Sequence, residues 1–173
     1  EADGIDQRPY VYGWIKCGYE ALRSGSKRPG QVICLAGDAG CGKSLFQLLL
    51  TEIFGGRSAR PYQYMSGATP FNLNLAQAEH LMIEDEAPST DMRKRREFGA
   101  HIKEMTVNKN QNLHGKGKNQ MCLSLFHRVS VSTNTEPQNL MVLPPLDDSI
   151  TDKLMLLKIH SRPMPMPTTT DEE

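Results

Sequence analysis

The sequence predicts an α/β domain with a mainly parallel sheet and helices on both faces. Two short apolar runs, 32–35 and 80–83, have the length of buried strands, and an alternating run at 127–133 is typical of a third. Helical patterns separate the runs, which favours parallel strands joined by helical crossovers. The runs end in glycines, acids or a Thr-Asn pair, and such residues meet at the carboxyl edge of a parallel sheet, where ligands bind.

Length and composition set broad limits. A chain of 173 residues suffices for one domain with a sizeable core. Its formal net charge is zero, so a nucleic-acid surface would need an uneven distribution of charge. The four cysteines show no Cys-x-x-Cys pair and no metal-ligand spacing, which predicts free thiols in a reducing compartment. No membrane span or signal peptide is visible, so we expect a soluble domain.

We divide the chain into three parts. Residues 1–30 are a helical lead-in, because Pro9 suits the first turn of a helix and a helically spaced apolar stripe follows it. Residues 31–160 form the core, and residues 161–173 are a Pro-, Met- and Thr-rich tail or linker. The chain opens at Glu1 without a methionine, so we expect a piece excised from a longer protein.

The first apolar run leads into a complete phosphate-loop motif, G-x-x-x-x-G-K-[ST]. Its residues are Gly37, Asp38, Ala39, Gly40, Cys41, Gly42, Lys43 and Ser44. Glycines let backbone N–H groups converge on phosphate oxygens, and the segment after the motif is typical of a helix whose positive end would face them. Lys43 would bind the β- and γ-phosphates, so we expect it to face solvent and ligand, and Ser44 would ligate Mg²⁺. The strand before the motif argues against a glycine-rich turn that matches by chance.

The second apolar run ends in three acids, Glu84, Asp85 and Glu86. This pattern matches a Walker B element, in which one carboxylate holds Mg²⁺ and a second polarises water. We interpret Asp85 as the metal ligand and Glu86 as the base. Glu84 with Asp85 is the competing pair, so Glu84 is also a candidate metal ligand. A strand with a solvated acidic end is the alternative without chemistry.

Basic residues outnumber acidic ones between 92 and 118. A helix predicted there, capped by Ser89-Thr90-Asp91, has an apolar stripe. The stripe consists of Met92, Phe98, Ile102 and Met105. The stretch after it, 108–120, places glycines among basic side chains and is flanked by strand-like segments, which predicts a protruding hairpin that can approach a phosphate backbone. Its basic side chains are Lys109, His114, Lys116 and Lys118. A solvated loop without a partner is the alternative.

Four weaker signals concern the rest of the core. Residues 61–65 have the composition of a short strand, 71–78 that of a short helix, and 153–159 that of the last strand. Asn134 follows the alternating run, where it could position water or touch a γ-phosphate.

In this order, the phosphate loop, acidic strand end, basic loop and Asn134 resemble the ATPase domain of superfamily 3 helicases. These are AAA+-related P-loop NTPases of small DNA viruses, phages and plasmids, and the nearest likeness, over residues 31–159, is to phage-type primase–helicase proteins. The resemblance implies Mg²⁺-dependent ATP hydrolysis coupled to movement along single-stranded DNA, or RNA, during replication. It also implies a homo-oligomer in the form of a hexameric ring, no membrane partner, and the cytoplasm of a bacterial cell, with a phage or virus as one source of the gene.

The resemblance further implies roles for single residues. Lys43 would bind phosphates, Glu86 would activate water, and Asn134 would be the sensor 1 residue that orients that water. The basic stretch lies where the family carries its pre-sensor hairpin, whose lysine and histidine grip single-stranded DNA. Its four basic residues are therefore candidate nucleic-acid-binding residues.

One position departs from the family pattern. Members usually carry an arginine near the start of the last strand that reaches the neighbouring subunit's nucleotide, whereas the nearest residue here is Lys153. Lysine lacks the planar fork of arginine, so Lys153 substitutes, another arginine serves, or the group is absent. Two rival functions stay open. One is an ATP-switched nucleic-acid scaffold or loader that does not unwind, and the other is a P-loop small-molecule kinase whose lid would be Arg93–Arg96.

Overall fold

The computed structural model describes residues 5–84, 86–87 and 89–162. Its strands are β1 (Val32–Gly37), β2 (Ser58–Ala59), β3 (His80–Glu84), β4 (Asn110–Leu113), β5 (Met121–Ser124), β6 (Arg128–Thr133) and β7 (Leu154–Ile159). Its α-helices are α1 (Arg8–Ser24), α2 (Lys43–Ile53), α3 (Tyr62–Met65) and α4 (Met92–Val107). Three short 3₁₀ segments lie at Leu73–Gln77, Asn139–Val142 and Thr151–Lys153.

Five strands form a parallel sheet in the order β2-β3-β6-β1-β7. The run Val32–Leu35 of β1 is wholly buried, as expected for an interior parallel strand. The strand β6 lies between β1 and β3, so the residues after β6 lie between the ends of the phosphate-loop strand and the acidic strand. The mainly parallel α/β fold is therefore confirmed.

Helices cover both faces of this sheet. Alternate residues of β1 point to opposite faces: Ile33 and Leu35 join a cluster with Trp14, Leu50 and Phe54 of α1, α2 and the turn after α2. On the other face, Val32 and Cys34 join a cluster with the buried side of α4. In the described part of the chain, no helix is long and apolar enough to span a membrane.

The start of α4 follows the predicted cap, with one exception in its stripe. The Asp91 carboxylate accepts a hydrogen bond from the Arg93 backbone N–H at 2.8 Å. Phe98, Ile102 and Met105 are buried as predicted. Met92 is 45% exposed, because it lies in the first turn of α4, before the helix reaches the sheet.

Two short elements differ from their prediction. Residues 61–65 form a helical turn rather than a strand: the Met65 N–H donates to the Pro61 carbonyl at 2.9 Å, and the Tyr62 ring packs edge-on against Phe98 of α4. In the 71–78 segment only Leu73–Gln77 is helical, with 3₁₀ geometry.

The predicted hairpin exists, but its first arm lies later in the chain than expected. Thr106 and Val107, the expected flank, still belong to α4. The strand β4 instead uses Asn110–Leu113 from inside the predicted loop and pairs antiparallel with β5. The alternation of exposed and buried residues in β4 buries Gln111 and Leu113, and this pattern decides the register. The predicted tail at 163–173 lies outside the described residues.

Candidate functional site

The phosphate loop curves from the end of β1 to the start of α2. Gly40 and Gly42 have φ angles of 73° and 87°, in the left-handed region that favours glycine. Gly37 is required for a different reason. A Cβ there would lie 2.6 Å from the Ile159 carbonyl oxygen and 2.8 Å from Cys41 Sγ, so no side chain fits between β1 and β7 at this point.

Lys43 folds inward over this loop. Its Nζ donates hydrogen bonds to the carbonyl oxygens of Gly37 (2.8 Å) and Asp38 (2.7 Å) and to Asn134 Oδ1 (3.3 Å). The residue is only 8% exposed, so the expectation that Lys43 faces solvent is wrong. Three oxygen acceptors draw the ammonium inward, because each satisfies one of its donors.

The contact between Lys43 and Asn134 follows from the sheet. Ser130, Ser132 and Asn134 alternate along β6 and its extension, and Ser130 contacts α2. Asn134 therefore continues on the face that carries α2, where its amide meets Lys43. The next residue adds a second link, since the Thr135 hydroxyl donates to Asp38 Oδ1 at 3.2 Å.

The acidic end of β3 lies beyond β6. Arg60 Nη2 pairs with Glu84 Oε2 at 3.2 Å, and the Glu84 side chain is only 16% exposed. Burial raises the pKa of Glu86, and the charge of Arg60 partly opposes this rise. Asp85 lies outside the described residues, and among those described no three His, Cys, Asp or Glu side chains cluster as a metal site.

An open cleft of about 1110 Å³ adjoins the loop on the β7 side. Val11 and Tyr12 of α1, Phe46 of α2 and Ile159 of β7 contribute apolar walls. Ile159 is also the residue whose carbonyl oxygen excludes a side chain at Gly37, so one wall residue of the cleft packs against the phosphate loop.

The hairpin ends in a tight turn that presents lysines. The Lys118 N–H donates to the Gly115 carbonyl at 3.1 Å, and Gly117 has a φ of 67° at the third position, as a type II turn requires. The predicted basic residues Lys109, His114, Lys116 and Lys118 are all exposed. None of their side chains forms an ion pair with a described residue.

Sequence reasoning missed two residues that shape this hairpin. Asn72, 3% exposed, accepts a hydrogen bond from the His114 N–H (2.7 Å) and donates one to the Asn112 carbonyl (3.0 Å), which ties the hairpin to the core. The Phe71 ring packs edge-on against His114, with centroids 5.2 Å apart. The available signal was an Asn beside an aromatic residue in a turn-rich segment. Such a signal does not indicate that either residue contacts the hairpin.

The remaining predicted residues lie elsewhere. Lys153 precedes β7, at the amino end of the strands and away from this chain's own phosphate loop, and it contacts Asp152. Arg95 donates to the Leu143 carbonyl at 3.0 Å, so it supports the fold, whereas Arg93, Lys94 and Arg96 are exposed. The four cysteines are free thiols, as predicted.

Two solved structures share this fold. The apo NrS-1 C-terminal region superimposes with a TM-score of 0.62 at 15% identity, over 84% of this chain and 33% of that one. JCV helicase, with a bound substituted acetamide, superimposes with a TM-score of 0.57 at 12% identity, over 89% of this chain and 41% of that one. The chain thus shares the fold of JCV helicase and of the NrS-1 C-terminal region, and the resemblance seen in the sequence is confirmed for the fold alone.

Sequence comparison gives one curated relative and one family. Chloroplastic phosphoribulokinase of Mesembryanthemum crystallinum is 31% identical over an alignment of 107 residues, which covers 56% of this chain and 26% of that protein. The chain therefore spans about a quarter of this relative's length. Residues 35–149, well over half of the chain, match DUF5906, a family of unknown function, and the chain belongs to that family.

Proposed function

We propose that this chain is a Mg²⁺-dependent ATP hydrolase that acts on single-stranded nucleic acid, as the ATPase domain of a replicative DNA helicase. One observation carries the proposal. The phosphate loop with Lys43, the residue Asn134 and the acidic end of β3 lie on three adjacent strands at one edge of the sheet. Ligands of parallel α/β sheets bind at this edge.

The loop has the shape and charge that a triphosphate needs. A Cβ built at Gly40 or Gly42 meets no atom within 4 Å, so the backbone of the loop borders open space at both glycines. The first turn of α2 adds backbone N–H groups and the positive end of the helix. Exposed Ser44, together with Glu84 or Asp85, would hold Mg²⁺, which supplies neutralisation of phosphate charge.

Glu86 is our candidate for the general base. Its raised pKa strengthens it as a proton acceptor for the attacking water, since a base works best when its pKa lies closer to the working pH. Asn134 would orient that water, because its amide already lies 3.3 Å from the Lys43 ammonium. The ion pair with Arg60 holds the Glu84 carboxylate in place, which favours a role for Glu84 in positioning other groups of the site or in metal binding.

The cleft beside the loop gives the nucleoside a place to lie. It begins where β1 ends, and Tyr12 and Phe46 provide aromatic surface for a base. On the far side of the acidic strand, the hairpin would hold the nucleic acid. Its lysines would pair with phosphates, and the Phe71–His114 pair offers a ring on which a base can stack.

Assembly with further copies is part of the proposal. The helix α2 exposes a stripe of large apolar side chains at helical spacing, which is unusual for the surface of a monomer. The stripe consists of Leu45, Leu48, Leu49 and Ile53. A ring in which neighbours cover α2 would bury this stripe.

A small-molecule kinase is the second candidate, because the phosphoribulokinase likeness favours it. Such an enzyme would need an acceptor pocket and a mobile basic lid. Arg95 is bound to the Leu143 carbonyl, which leaves Arg93, Lys94 and Arg96 as the exposed basic residues of the suspected lid. The scaffold or loader remains the non-enzymatic rival.

The test measures ATP binding and turnover with and without single-stranded DNA. We expect binding in the presence of Mg²⁺ and turnover that DNA stimulates. Lys43→Ala should abolish measurable affinity, because it removes the charge that faces the phosphates. Lys16→Ala is the matched control, since Lys16 is exposed on α1 and, among the described residues, its ion pair is with Glu20 of the same helix.

The outcomes separate the three functions. Unchanged ATP affinity of a folded Lys43→Ala variant would contradict the nucleotide site. Binding without turnover supports the scaffold. Transfer of the γ-phosphate to a small-molecule acceptor, in a screen of sugars, nucleosides and their phosphates, supports the kinase.

A further inference from the structure

A ring of hydrogen bonds lies beneath the phosphate-loop helix. Gln47 Nε2 donates to Ser130 Oγ at 2.8 Å, and Ser130 Oγ lies 2.8 Å from His80 Nε2. His80 Nδ1 lies 2.7 Å from Thr51 Oγ1, whose hydroxyl donates back to the Gln47 carbonyl at 3.2 Å. The four side chains are buried and join α2 to both β3 and β6.

One arrangement of protons satisfies every link in this ring. Because the Thr51 hydroxyl donates to a carbonyl, its oxygen accepts from His80 Nδ1–H. His80 Nε2 then accepts from the Ser130 hydroxyl, which in turn accepts from Gln47. This arrangement needs a neutral imidazole, and burial lowers the pKa of His80 to about 4.

Gln47 is the member of the ring that links the phosphate-loop helix to the acidic strand. It lies one helical turn after Lys43 on α2, with no exposed surface. Besides Ser130, its amide Nε2 donates to the Ile83 carbonyl at 3.2 Å, and Ile83 directly precedes Glu84. One side chain therefore connects the phosphate-loop helix to the strand of the acids and to the strand that leads to Asn134.

Stability alone does not explain a glutamine at this position. The helix around it is rich in leucine, and Gln47 Oε1 is buried without a hydrogen-bond partner among the described residues. A buried polar atom without a partner is unfavourable, and an apolar side chain of similar shape would avoid it. What the glutamine adds over an apolar side chain is its pair of hydrogen bonds to Ser130 and to the Ile83 carbonyl.

We propose that Gln47 is a positioning residue: it sets the distance between the phosphate loop and the catalytic ends of β3 and β6. The inference rests on the proposed function. Through the Ile83 carbonyl, Gln47 holds the acidic strand end in place relative to Lys43, and through Ser130 it does the same for Asn134. Its loss leaves the phosphate contacts in place and misaligns the groups that act on water.

The experiment replaces Gln47 by Met, and separately by Leu. Both variants should fold, because they remove the unpaired oxygen together with the donors. We expect ATP affinity within about twofold of the parent and a fall in kcat on the order of tenfold or more, the scale seen when supporting contacts of a site are lost. Thr51→Val is the matched control, since it breaks the same ring without contacting Ile83, and its kcat should stay near the parent value.

Hydrogen exchange provides a readout beyond activity. In the parent, an ATP analogue that resists hydrolysis should protect the amides of both α2 and residues 80–84. In Gln47→Met, protection of α2 should remain while that of 80–84 is lost. Parent-like kcat and parent-like protection in a folded Gln47→Met variant would overturn the positioning role alone. Absence of ATP binding by the parent would overturn the proposed function, and this role with it.

Discussion

Lys43 in the phosphate loop and Lys116 in the hairpin are both candidates for phosphate contact, yet their surroundings are opposite. Lys43 is 8% exposed, and three oxygen atoms accept hydrogen bonds from its ammonium. Lys116 is exposed at a glycine turn, and its ammonium has no ion-pair partner among the described residues. Both lie on the same chain and carry the same charge, so the difference comes from the fold around them.

The contrast separates two ways of preparing a phosphate site. At the phosphate loop, three oxygen atoms of the protein already hold the cation, so it must exchange at least one of these hydrogen bonds for a phosphate oxygen when a ligand binds. At the hairpin, the cations are solvated and adaptable, which suits a backbone of repeating charges read without sequence preference. We therefore expect small chemical changes at the phosphate loop and the adjoining strand ends to have large effects. In the hairpin, we expect nucleic-acid affinity to change in proportion to the charge that is removed.

The largest expected effect comes from acid. Burial lowers the pKa of both His80 and His127 from 6.5 to about 4. The unfolded chain therefore binds protons between pH 6.5 and 4 that the folded chain does not, so stability is complete above pH 6.5 and falls as the pH drops through this window. Each histidine should cost roughly 3 kcal/mol of unfolding free energy across it, from about 1.4 kcal/mol per pH unit.

Urea unfolding at pH 7, 6, 5 and 4.5 measures this loss. His127→Gln should flatten the dependence, because its amide can still donate to the Leu75 carbonyl, which His127 Nε2 contacts at 2.9 Å, but does not titrate. His114→Gln, on the exposed hairpin, is the matched control for the replacement of a histidine by glutamine. A parent free energy that is flat from pH 7 to 4.5 would contradict the buried, neutral histidines.

The next effect concerns the two described acids at the carboxyl end of β3, Glu84 and Glu86. Glu86→Gln should keep ATP binding and slow turnover on the order of a hundredfold, the usual scale for losing a general base. Glu79→Gln is the control at the opposite end of β3, where Glu79 pairs with Arg57. If Glu84→Gln is slow and Glu86→Gln is not, Glu84 is the base, and Arg60 then contacts a catalytic carboxylate.

Much of the fold could be predicted because its signals are local. The phosphate loop, the Asp91 cap and the strand that leads to Asn134 each depend on a few neighbouring residues. The failure at 61–65 has the opposite cause. Aromatic composition favoured a strand, but the contact of Tyr62 with Phe98, distant in sequence, stabilises a helical turn there.

The features of the site that escaped prediction depend on long-range contacts. Lys43 turns inward toward two carbonyl oxygens of its own loop and toward Asn134, which lies 91 residues later and whose contact the sequence does not indicate. Gln47 forms a hydrogen bond with Ser130, 83 residues later in the chain, and the Phe71 ring packs against His114, which lies in the hairpin. A polar residue in a leucine-rich helix was visible in the sequence, but its partners follow only from the strand order.

The smallest expected effect concerns the exposed lysines of the hairpin. Changing Lys116 and Lys118 to Ala together should weaken single-strand binding across all sequences, because lysines on phosphates act without reading bases. Each contact releases counterions worth a slope of roughly −0.7 in log K against log salt, so the double change should flatten that slope by about 1.4. ATP turnover without DNA should stay near the parent's, since neither lysine lies at the phosphate loop.

Salt titrations of single-strand binding by the parent and the double variant, in one nucleotide state, distinguish a hairpin that binds DNA from a turn that is only solvated. The comparison is a second double variant, the α4 variant, in which Arg93 and Arg96 are changed to Ala; both are also exposed and cationic but lie on α4. Because their charge loss is the same, a flattened slope in the hairpin variant alone identifies the hairpin as the contact. Parallel lines for the hairpin variant, with a flattened line for the α4 variant, would move the nucleic acid to α4 and leave Lys116 and Lys118 as solvated residues of a tight turn.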